Sequence, residues 1–499
     1  MSYTILPLRF MRWSPDEVFL TNEVGEYVFL SNEDFSAFIA GNLEPKRSLA
    51  APSVPSDSKT PLSFESSSPA PFTDAFTELE TKQFLCTGQL DDVLNMLATK
   101  YRSKKSFLQS FTQLHMIVPT LRCNSSCIYC QVSRKRLTDE RYDMSEQTAD
   151  NVIKTIFAGP SPIIKIEFQG GDPAANFKLV QYIIEKTKLV NILKKRQLDF
   201  VICTNTTLLS KPQIEYLHKH HVSISTSLDG PHDLHNTNRP LQGGQDHHAL
   251  LMQQLELIRS IYNEPECAAA LMTTSKHSLG HMKEIIDEYV RCGFNNIFLR
   301  ALNPYGFAKN YKEKVAYPIE DFVTNFIEGL NYIIELNLKG TFFIEGYTAL
   351  LLKRILTPFA TGFVDLQSPA GAGISCAIYD YDGRVYVSDE GRMMARFKNY
   401  FFCLGNVNSD SFEQMFNGDK MHQMLHDACV ETLPQCAYCA FAPYCGADPV
   451  RNQSEQGSMV GFRPTNEGCR KNMAIIRYIL TLLKLNNPEI NRVFWSWIR

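Results

Sequence analysis

Charge of one sign is missing from this 499-residue sequence: 50 Lys and Arg stand against 53 Asp and Glu, a net charge of −3. A balance that close to zero gives no argument for a nucleic-acid partner. The basic runs Arg134–Arg136 and Lys194–Arg196 are short and read as solvated helix or loop faces. Membrane-length apolar runs are missing as well. The longest late one, Ala474–Leu483, is broken by Arg477, and a spanning helix needs roughly 18–20 apolar residues. The opening MSYTILPLRFMRW lacks a basic stretch followed by an apolar stretch and a small-residue cleavage site, so no secretory signal is expected. No internal repeat stands out. Together these absences predict a soluble cytoplasmic protein that engages neither membrane nor nucleic acid.

Cysteine, in contrast, is plentiful, with 14 residues. A cytosol keeps thiols reduced, so these point to metal ligation or catalysis rather than disulfides. Three fall at 123–130 and seven between 376 and 469. The scattered Cys86, Cys203, Cys267 and Cys292 read as small apolar packing residues. Apolar residues make up 44% and charged residues 21%, enough to bury a large core. The length allows about three domains.

Residues 1–45 alternate short β-type runs (Glu17–Asn22, Tyr27–Leu30) with a Gly25-Glu26 turn, then start a helix at Ser31-Asn32-Glu33. Residues 45–73 are rich in Pro and Ser and read as a linker. Helical spacing returns at Phe76–Leu85 and Asp91–Tyr101. From residue 112 to 305 strands alternate with helices. The strands are expected at His115–Pro119, Ile163–Phe168, Phe200–Thr204, Val222–Ser227, Cys267–Thr273 and Asn296–Arg300. The helices are expected at Glu146–Phe157, Lys178–Val190, Lys211–His220, His248–Tyr262 and Gly280–Cys292. This α/β series predicts parallel strands with right-handed crossovers, closed as a partial barrel or left open, with chemistry at the C-terminal strand ends. A mainly helical bridge (306–370), a cysteine-rich segment (371–475) with a hairpin at Tyr381–Arg384, and a terminal helix (476–499) complete the chain.

Cys123-Asn-Ser-Ser-Cys127-Ile-Tyr-Cys130 follows the first expected strand. Three thiolates on one loop can grip three irons of a 4Fe–4S cube and leave the fourth open to a small molecule. Chance predicts only about 0.01 such spacings in a chain of this composition. A zinc site with a distant fourth ligand is the plainer alternative. The loop resembles the CxxxCxxC signature of the radical S-adenosylmethionine (SAM) superfamily, including the aromatic Tyr129 before its last cysteine. The resemblance implies a partial (β/α)6 TIM-type barrel, a SAM-binding 4Fe–4S cluster on Cys123, Cys127 and Cys130, and reductive cleavage of SAM to a radical that abstracts hydrogen.

Further segments carry the likeness. Gln169-Gly170-Gly171-Asp172-Pro173 resembles the GGEP motif that holds the SAM amino group, with Asp172 in place of Glu. Thr204-Asn205-Thr206-Thr207-Leu208-Leu209 resembles a TNGTLL segment, with Thr206 where Gly is usual. Ser227-Leu228-Asp229-Gly230-Pro231, followed by His235 and Arg239, resembles the SLDGP…HxxxR stretch of peptide-modifying members. That likeness makes Ser227 and Arg239 candidates for the SAM carboxylate and ribose, since a guanidinium fork can bond both carboxylate oxygens. A surface ion pair is the alternative for Arg239.

Cys436-x2-Cys439-x5-Cys445 and then Cys469 could close around a complete cluster, or around zinc. The set resembles the SPASM domain of peptide and sulfatase maturases. That pattern's next cysteine position is Pro449 here, and its Val-Tyr-Pro-Cys is Val385-Tyr386-Val387-Ser388. Cys376, Cys403 and Cys429, with Asp448 or Asp389 as oxygen ligands, remain for a second auxiliary cluster, unless they are ordinary thiols. By the same resemblance Asp389, directly after Ser388, is the candidate base.

The opening Leu6–Phe10, Ser388–Arg392, Tyr444–Pro449 and Gln456-Gly457 extend the likeness to the His-Xaa-Ser-system radical SAM maturases. It implies a small ribosomally made precursor peptide as partner, often beside a second radical SAM protein, and a reductant such as flavodoxin or ferredoxin. Residues 1–105 resemble a PqqD-like peptide-recognition module that could add a leader peptide to a strand edge, or they form a structural cap. The expected activity is hydrogen abstraction leading to a cross-link. Formylglycine formation is the alternative within the class, and a non-catalytic zinc scaffold the alternative outside it.

Overall fold

The computed structural model describes residues 2–45, 74–264, 266–303, 305 and 312–498. The linker expected at 45–73 lies almost wholly outside these residues. The chain forms two units, one of residues 1–104 with 435–444, the other of 105–434 with 445–499. The segment read as one domain, 371–475, is therefore divided between them. No helix among the described residues is long and apolar enough to cross a membrane.

In the smaller unit, β1 (Thr4–Ile5), β2 (Leu8–Arg12), β3 (Glu17–Asn22), β4 (Tyr27–Ser31) and β5 (Leu85–Cys86) form two sheets, β2-β3-β4 antiparallel and β1-β5. The sequence showed the hairpin of β3 and β4, and the structure adds β2 before it. Alternation sends Val18, Leu20, Val28 and Leu30 to a core with Phe38, Leu79 and Phe84. Trp13 packs edge-on and Phe19 tilted against Phe441, and Phe29 packs against both Trp13 and Phe19. Residues 435–444 are tied down by Thr21 Oγ1, which donates to Ala440 O at 2.8 Å, and by Tyr444 Oη, which donates to Gly25 O at 2.8 Å. Ser31 caps the helix Asn32–Ile39, its Oγ accepting from Asp34 N at 3.0 Å.

The larger unit is built on an eight-stranded sheet. Its strands are β6 (Leu114–Thr120), β7 (Ile163–Gly170), β8 (Gln197–Cys203), β9 (Val222–Ser227), β10 (Ala268–Leu271), β13 (Cys376–Tyr379), β14 (Arg384–Tyr386) and β15 (Cys403–Asn406). The order is β10-β9-β8-β7-β6-β13-β14-β15, parallel from β10 through β13 and antiparallel beyond. Connecting helices start at side-chain caps. Ser145 accepts from Thr148 N at 3.1 Å, Ser210 and Gln213 form a capping box, and Asp246 accepts from Ala249 N at 3.0 Å.

The expected sixth barrel strand is corrected. Only Asn296–Ile297 is extended (β11), and it pairs with β12 (Ile344–Glu345), not with β10. One backbone bond, Thr274 N to Arg300 O at 3.0 Å, ties the segments that follow β10 and β11. The buried Glu345 carboxylate explains the switch. It accepts from Leu299 N at 3.1 Å while capping the helix Gly346–Leu356. At the opposite edge β13 takes a place beside β6, so the hairpin of the cysteine-rich segment belongs to the core sheet. The terminal helix is also two helices, Glu467–Lys484 and Pro488–Trp497. Asn486 turns left-handed (φ 48°), Asn487 caps and Pro488 supplies the first turn.

Candidate functional site

Loops following β6, β8 and β9 lock together at the C-terminal end of the parallel sheet. Ser126 N donates to Pro240 O at 2.6 Å, Ile128 N to Asn238 O at 3.0 Å, and Gln242 Nε2 to Cys123 O at 3.0 Å. Asn205 Nδ2 donates to Asn124 Oδ1 at 2.8 Å and Ser125 Oγ at 2.7 Å. The 123–130 loop is thus held from two sides. Cys123 is buried, Cys127 and Cys130 half-buried. The three thiols lie within Coulombic reach of one another. Burial pushes Cys123 well up and Cys127 up to about 11, with the Arg239 guanidinium opposing the rise at Cys127.

Gly170 and Gly171 let the β7 loop pass against this one. Gly170 sits at φ +123°, and a Cβ there would meet Val118 Cγ1 at 2.8 Å and fall onto Thr120 O. A Cβ at Gly171 would fall onto the Leu121 and Arg122 carbonyls. Pro173 is buried at the start of a single 3₁₀ turn. Asp172 is 1% exposed. Its carboxylate accepts from Ala174 N at 3.0 Å, Thr204 Oγ1 at 2.8 Å and Asn205 N at 3.0 Å. Burial raises its pKa against these bonds. The structure therefore makes Asp172 the brace of the 204–207 turn. The sequence reading placed it at the SAM amino group, with its shorter reach leaving more of that contact to backbone groups. Thr206 is left-handed at φ +66°, costly for a β-branched residue, which accounts for glycine being usual there. Its amide donates to Thr204 Oγ1 at 3.0 Å.

Tyr129, Asp229 and Arg239 form one buried cluster. Tyr129 Oη donates to Asp229 Oδ2, and Arg239 Nε lies 3.1 Å from Asp229 Oδ1, an ion-pair contact whose angle falls short of a hydrogen bond. The guanidinium carbon sits 5.3 Å from the Tyr129 ring centre. Burial works against the Arg239 charge, but the Asp229 carboxylate holds it protonated. Arg239 is thus an interior cation, not a surface ion pair. His235 Nδ1 accepts from Asp229 N at 3.3 Å. Ser227 ends β9 opposite Leu271, half-buried. A cavity of about 380 Å³ opens beside Cys127 and Ile128, walled also by Arg134, Thr237, His277 and Val315.

Asp389 begins the helix Asp389–Ala395, capped by Ser388, whose Oγ accepts from Gly391 N at 3.3 Å. The serine in the usual cysteine position is therefore a helix cap. Hydrogen bonds connect this helix to the three-cysteine loop. Gln131 Nε2 donates to Asn303 O at 3.1 Å, Asn303 Nδ2 to Glu390 Oε1 at 3.4 Å, and Arg392 to Val132 O at 3.2 Å. Glu390 hydrogen-bonds Asp389 and faces Arg300 at 3.7 Å, while Arg300 also feels Asp389, Asp365 and Glu167. Glu167 and Cys203 come from the polar face of β7 and β8, the Cys203 thiol donating to Glu167 at 3.2 Å. The sequence missed Glu167, Arg300 and Asp365. A signal existed: Lys165, Glu167 and Gln169 alternate with Ile164, Ile166 and Phe168 in a strand expected to be apolar on both faces.

The other cysteines are placed as follows. Cys376 is 2% exposed on β13 within an apolar cluster that Cys403 of β15 also touches. Cys429 lies elsewhere, its thiol 3.2 Å from Glu431. Asp448 caps the helix Pro449–Gln456 through Arg451 N at 2.9 Å. Cys436 and Cys439 belong to the smaller unit, joined by the bond from Cys439 N to Cys436 O at 3.0 Å. Cys445 and Cys469 belong to the larger one, with Cys445 Sγ accepting from Asn472 Nδ2 at 3.4 Å. Among the described residues no three His, Cys, Asp or Glu side chains close into a metal-holding geometry unaided. The 123–130 donor set has the chemistry of an iron–sulfur cluster site: three cysteine thiols on one short loop within Coulombic reach of one another, with burial disfavouring the thiolate at Cys123 and Cys127 until a cationic metal compensates it.

Comparison with known proteins agrees with this placement. Residues 117–289 match the Radical SAM superfamily. The cysteine-type anaerobic sulfatase-maturating enzyme of Clostridium perfringens is 22% identical over 352 residues, 68% of this chain and 89% of that protein. The solved structure of native anSMEcpe with bound AdoMet superposes at TM-score 0.61 and 19% identity, over 77% of this chain and 99% of that one. Streptococcus suis SuiB bound to precursor peptide SuiA superposes at TM-score 0.50 and 14% identity, over 94% and 100%.

Proposed function

We propose that this radical SAM enzyme abstracts hydrogen from a ribosomally made precursor peptide and installs a cross-link or related modification. One observation carries the peptide reading: the structure of SuiB with its precursor peptide spans 94% of this chain, whereas that of anSMEcpe spans 77%. The added share favours a precursor-peptide maturase over a formylglycine-forming enzyme, and the His-Xaa-Ser type rests on the sequence likeness alone. The zinc-scaffold alternative is set aside by the radical SAM match across residues 117–289.

Cys123, Cys127 and Cys130 would hold the cluster. Gly170, Gly171, Asn205, Ser227 and Arg239 would cradle SAM, with Asp172, Thr204 and Asp229 fixing their positions. Bound together, cluster and SAM supply reductive sulfonium cleavage and hydrogen abstraction. Arg239, kept charged by Asp229, would meet the SAM carboxylate or ribose, and Tyr129 would close the pocket wall. Asp389 would accept the proton released when a substrate radical forms its bond and is oxidised. The SPASM-like reading makes Cys436, Cys439, Cys445 and Cys469 the ligands of an auxiliary cluster, with Cys376, Cys403 and Cys429 for a second. The antiparallel sheet β2-β3-β4 offers outer strands to a leader peptide.

Co-expression with a small peptide encoded beside the enzyme, followed by tandem mass spectrometry, tests the proposal. A two-hydrogen loss within one linked peptide supports it. A hydrazine-trapped aldehyde would select formylglycine formation instead, and an unaltered peptide would remove the peptide reading.

A further inference from the structure

Two buried histidines hold the backbone at the two ends of the Asp229–Arg239 pair. Asp229 N donates to His235 Nδ1 at 3.3 Å, and His247 Nδ1 donates to Arg239 O at 2.7 Å. His235 is 0% exposed and His247 1%. Their rings meet edge to face with centres 4.7 Å apart. The backbone partners fix the tautomers. An amide can only donate, so His235 carries its proton on Nε2. A carbonyl can only accept, so His247 carries one on Nδ1. Burial lowers the pKa of both rings, and the Arg239 charge adds to the effect. Each therefore stays neutral beside the guanidinium.

Packing alone does not call for histidine here. His235 Nε2 and His247 Nε2 are both buried without a hydrogen-bond partner among the described residues, and an unpaired buried polar atom costs free energy. Leucine or phenylalanine would fill the space without that cost. What histidine adds is the nitrogen turned to the backbone, and Arg239 needs one. Pro240 follows it, so Arg239 leaves helical geometry (φ −129°, ψ 56°) and the helix His232–Asn238 ends there. From that point the chain straps the three-cysteine loop, Pro240 O accepting from Ser126 N at 2.6 Å and Gln242 N donating to Asn124 O at 2.8 Å. His247 is itself held in place, because the start of its helix is tied to the helix before it. His248 N donates to Asn236 Oδ1 at 2.9 Å, and Asn236 Nδ2 donates to Asp246 Oδ1 at 2.9 Å.

We propose that His247 is a positioning residue for SAM binding, its Nδ1–H fixing the Arg239 carbonyl and with it the root of the guanidinium, while His235 fixes Asp229. The inference rests on the reading that Arg239 meets the SAM carboxylate or ribose, and adds what sets its place. Arg239 is held from both ends: Asp229 Oδ1 stands 3.1 Å from its Nε, and His247 grips its backbone. A planar guanidinium on a long stem meets a ligand in one geometry only when the stem is anchored.

The test uses the full chain, purified anaerobically with its cluster reconstituted, and measures SAM affinity by calorimetry. In His247→Asn the amide nitrogen stands where Nδ1 stood, and affinity should stay within about threefold of wild type because the hydrogen bond is kept. In His247→Gln the nitrogen lies one bond further out, and in His247→Leu it is gone. Both should bind SAM at least about tenfold more weakly, since a small displacement is costly in an oriented site. A second comparison separates positioning from general support of the fold. In an Arg239→Gln background, His247→Leu should change SAM affinity by less than about threefold, because the group it positions is already gone. A residue that only supports the fold would cause the same loss again. If His247→Leu does not fold, His247→Gln takes its place in both comparisons. If Arg239→Gln binds too weakly to titrate, the contrast between His247→Asn and His247→Gln decides. Wild-type affinity in His247→Gln or His247→Leu overturns the proposal. So does a loss in His247→Asn equal to that in His247→Leu, or an undiminished loss in the Arg239→Gln background. Failure of the underlying reading looks different: Arg239→Gln alone would then bind SAM as tightly as wild type.

Discussion

Gly170→Ala tests whether the β7 loop must touch the three-cysteine loop. Two costs add at this position. At φ +123° an L side chain is strained, worth about 1–3 kcal/mol. The new Cβ would also stand 2.8 Å from Val118 Cγ1 and on top of Thr120 O, inside the 3.0 Å that real Cβ atoms essentially never breach. Val118 is fully buried and Thr120 ends β6, so neither yields easily. Overpacking of this kind costs about 1–3 kcal/mol. Together the loss is about 2–6 kcal/mol, a large part of a typical folding free energy of about 5–15 kcal/mol. Urea denaturation followed by tryptophan fluorescence and circular dichroism measures it, with SAM affinity by calorimetry alongside. Gly88→Ala is the control: nothing lies within 4 Å of its Cβ, and the change should stay within about 0.5 kcal/mol. A Gly170→Ala protein as stable as the control, with unaltered SAM affinity, would refute the close-approach argument.

Asp229→Asn should destabilise the larger unit by about 3–5 kcal/mol, because it strands a buried guanidinium, and the loss appears as a lower urea midpoint together with weaker SAM binding. His115 is 2% exposed against Tyr379 Oη at 3.1 Å, and burial pushes its pKa down to about 3. The unfolded chain binds this proton first, so stability is full above about pH 6.5 and falls as pH drops, by about 2 kcal/mol at pH 5. His115→Gln should flatten that slope in pH-dependent denaturation. Asp389→Asn should leave 5′-deoxyadenosine production intact while cutting modified peptide at least about 100-fold, read by chromatography and mass spectrometry of the same reaction.

Much of the larger unit was legible because its signals are local. Parallel strands read as apolar runs, and Ser145, Ser210 and Asp246 mark the helix starts between them. The Cys123–Cys130 spacing is a purely local pattern, and it drew Gly170, Thr204, Asp229 and Arg239 with it. What escaped depends on pairing across long separations. Asn296–Arg300 has the composition of a barrel strand, yet the buried Glu345 carboxylate captures the amide of Leu299 and draws the segment toward β12. β13 beside β6 joins residues about 260 positions apart, and no periodicity reports that. Asp172 had the right residue type, but its partners Thr204 and Asn205 lie on another loop, so its bracing role could not be read. Ser388 and Pro449 departed from the family pattern in sequence, and only the structure explains them: Ser388 caps one helix, and Pro449 opens another behind the Asp448 cap.

The most direct measurement follows reconstituted, dithionite-reduced wild type and the variant with alanine at positions 123, 127 and 130, both under anaerobic conditions. Wild type should show an electron paramagnetic resonance signal that shifts when SAM is added, and should release 5′-deoxyadenosine. The variant should lose the SAM-responsive signal and all release. Undiminished 5′-deoxyadenosine from the variant would contradict the assignment of these thiols, and with it the site built around them.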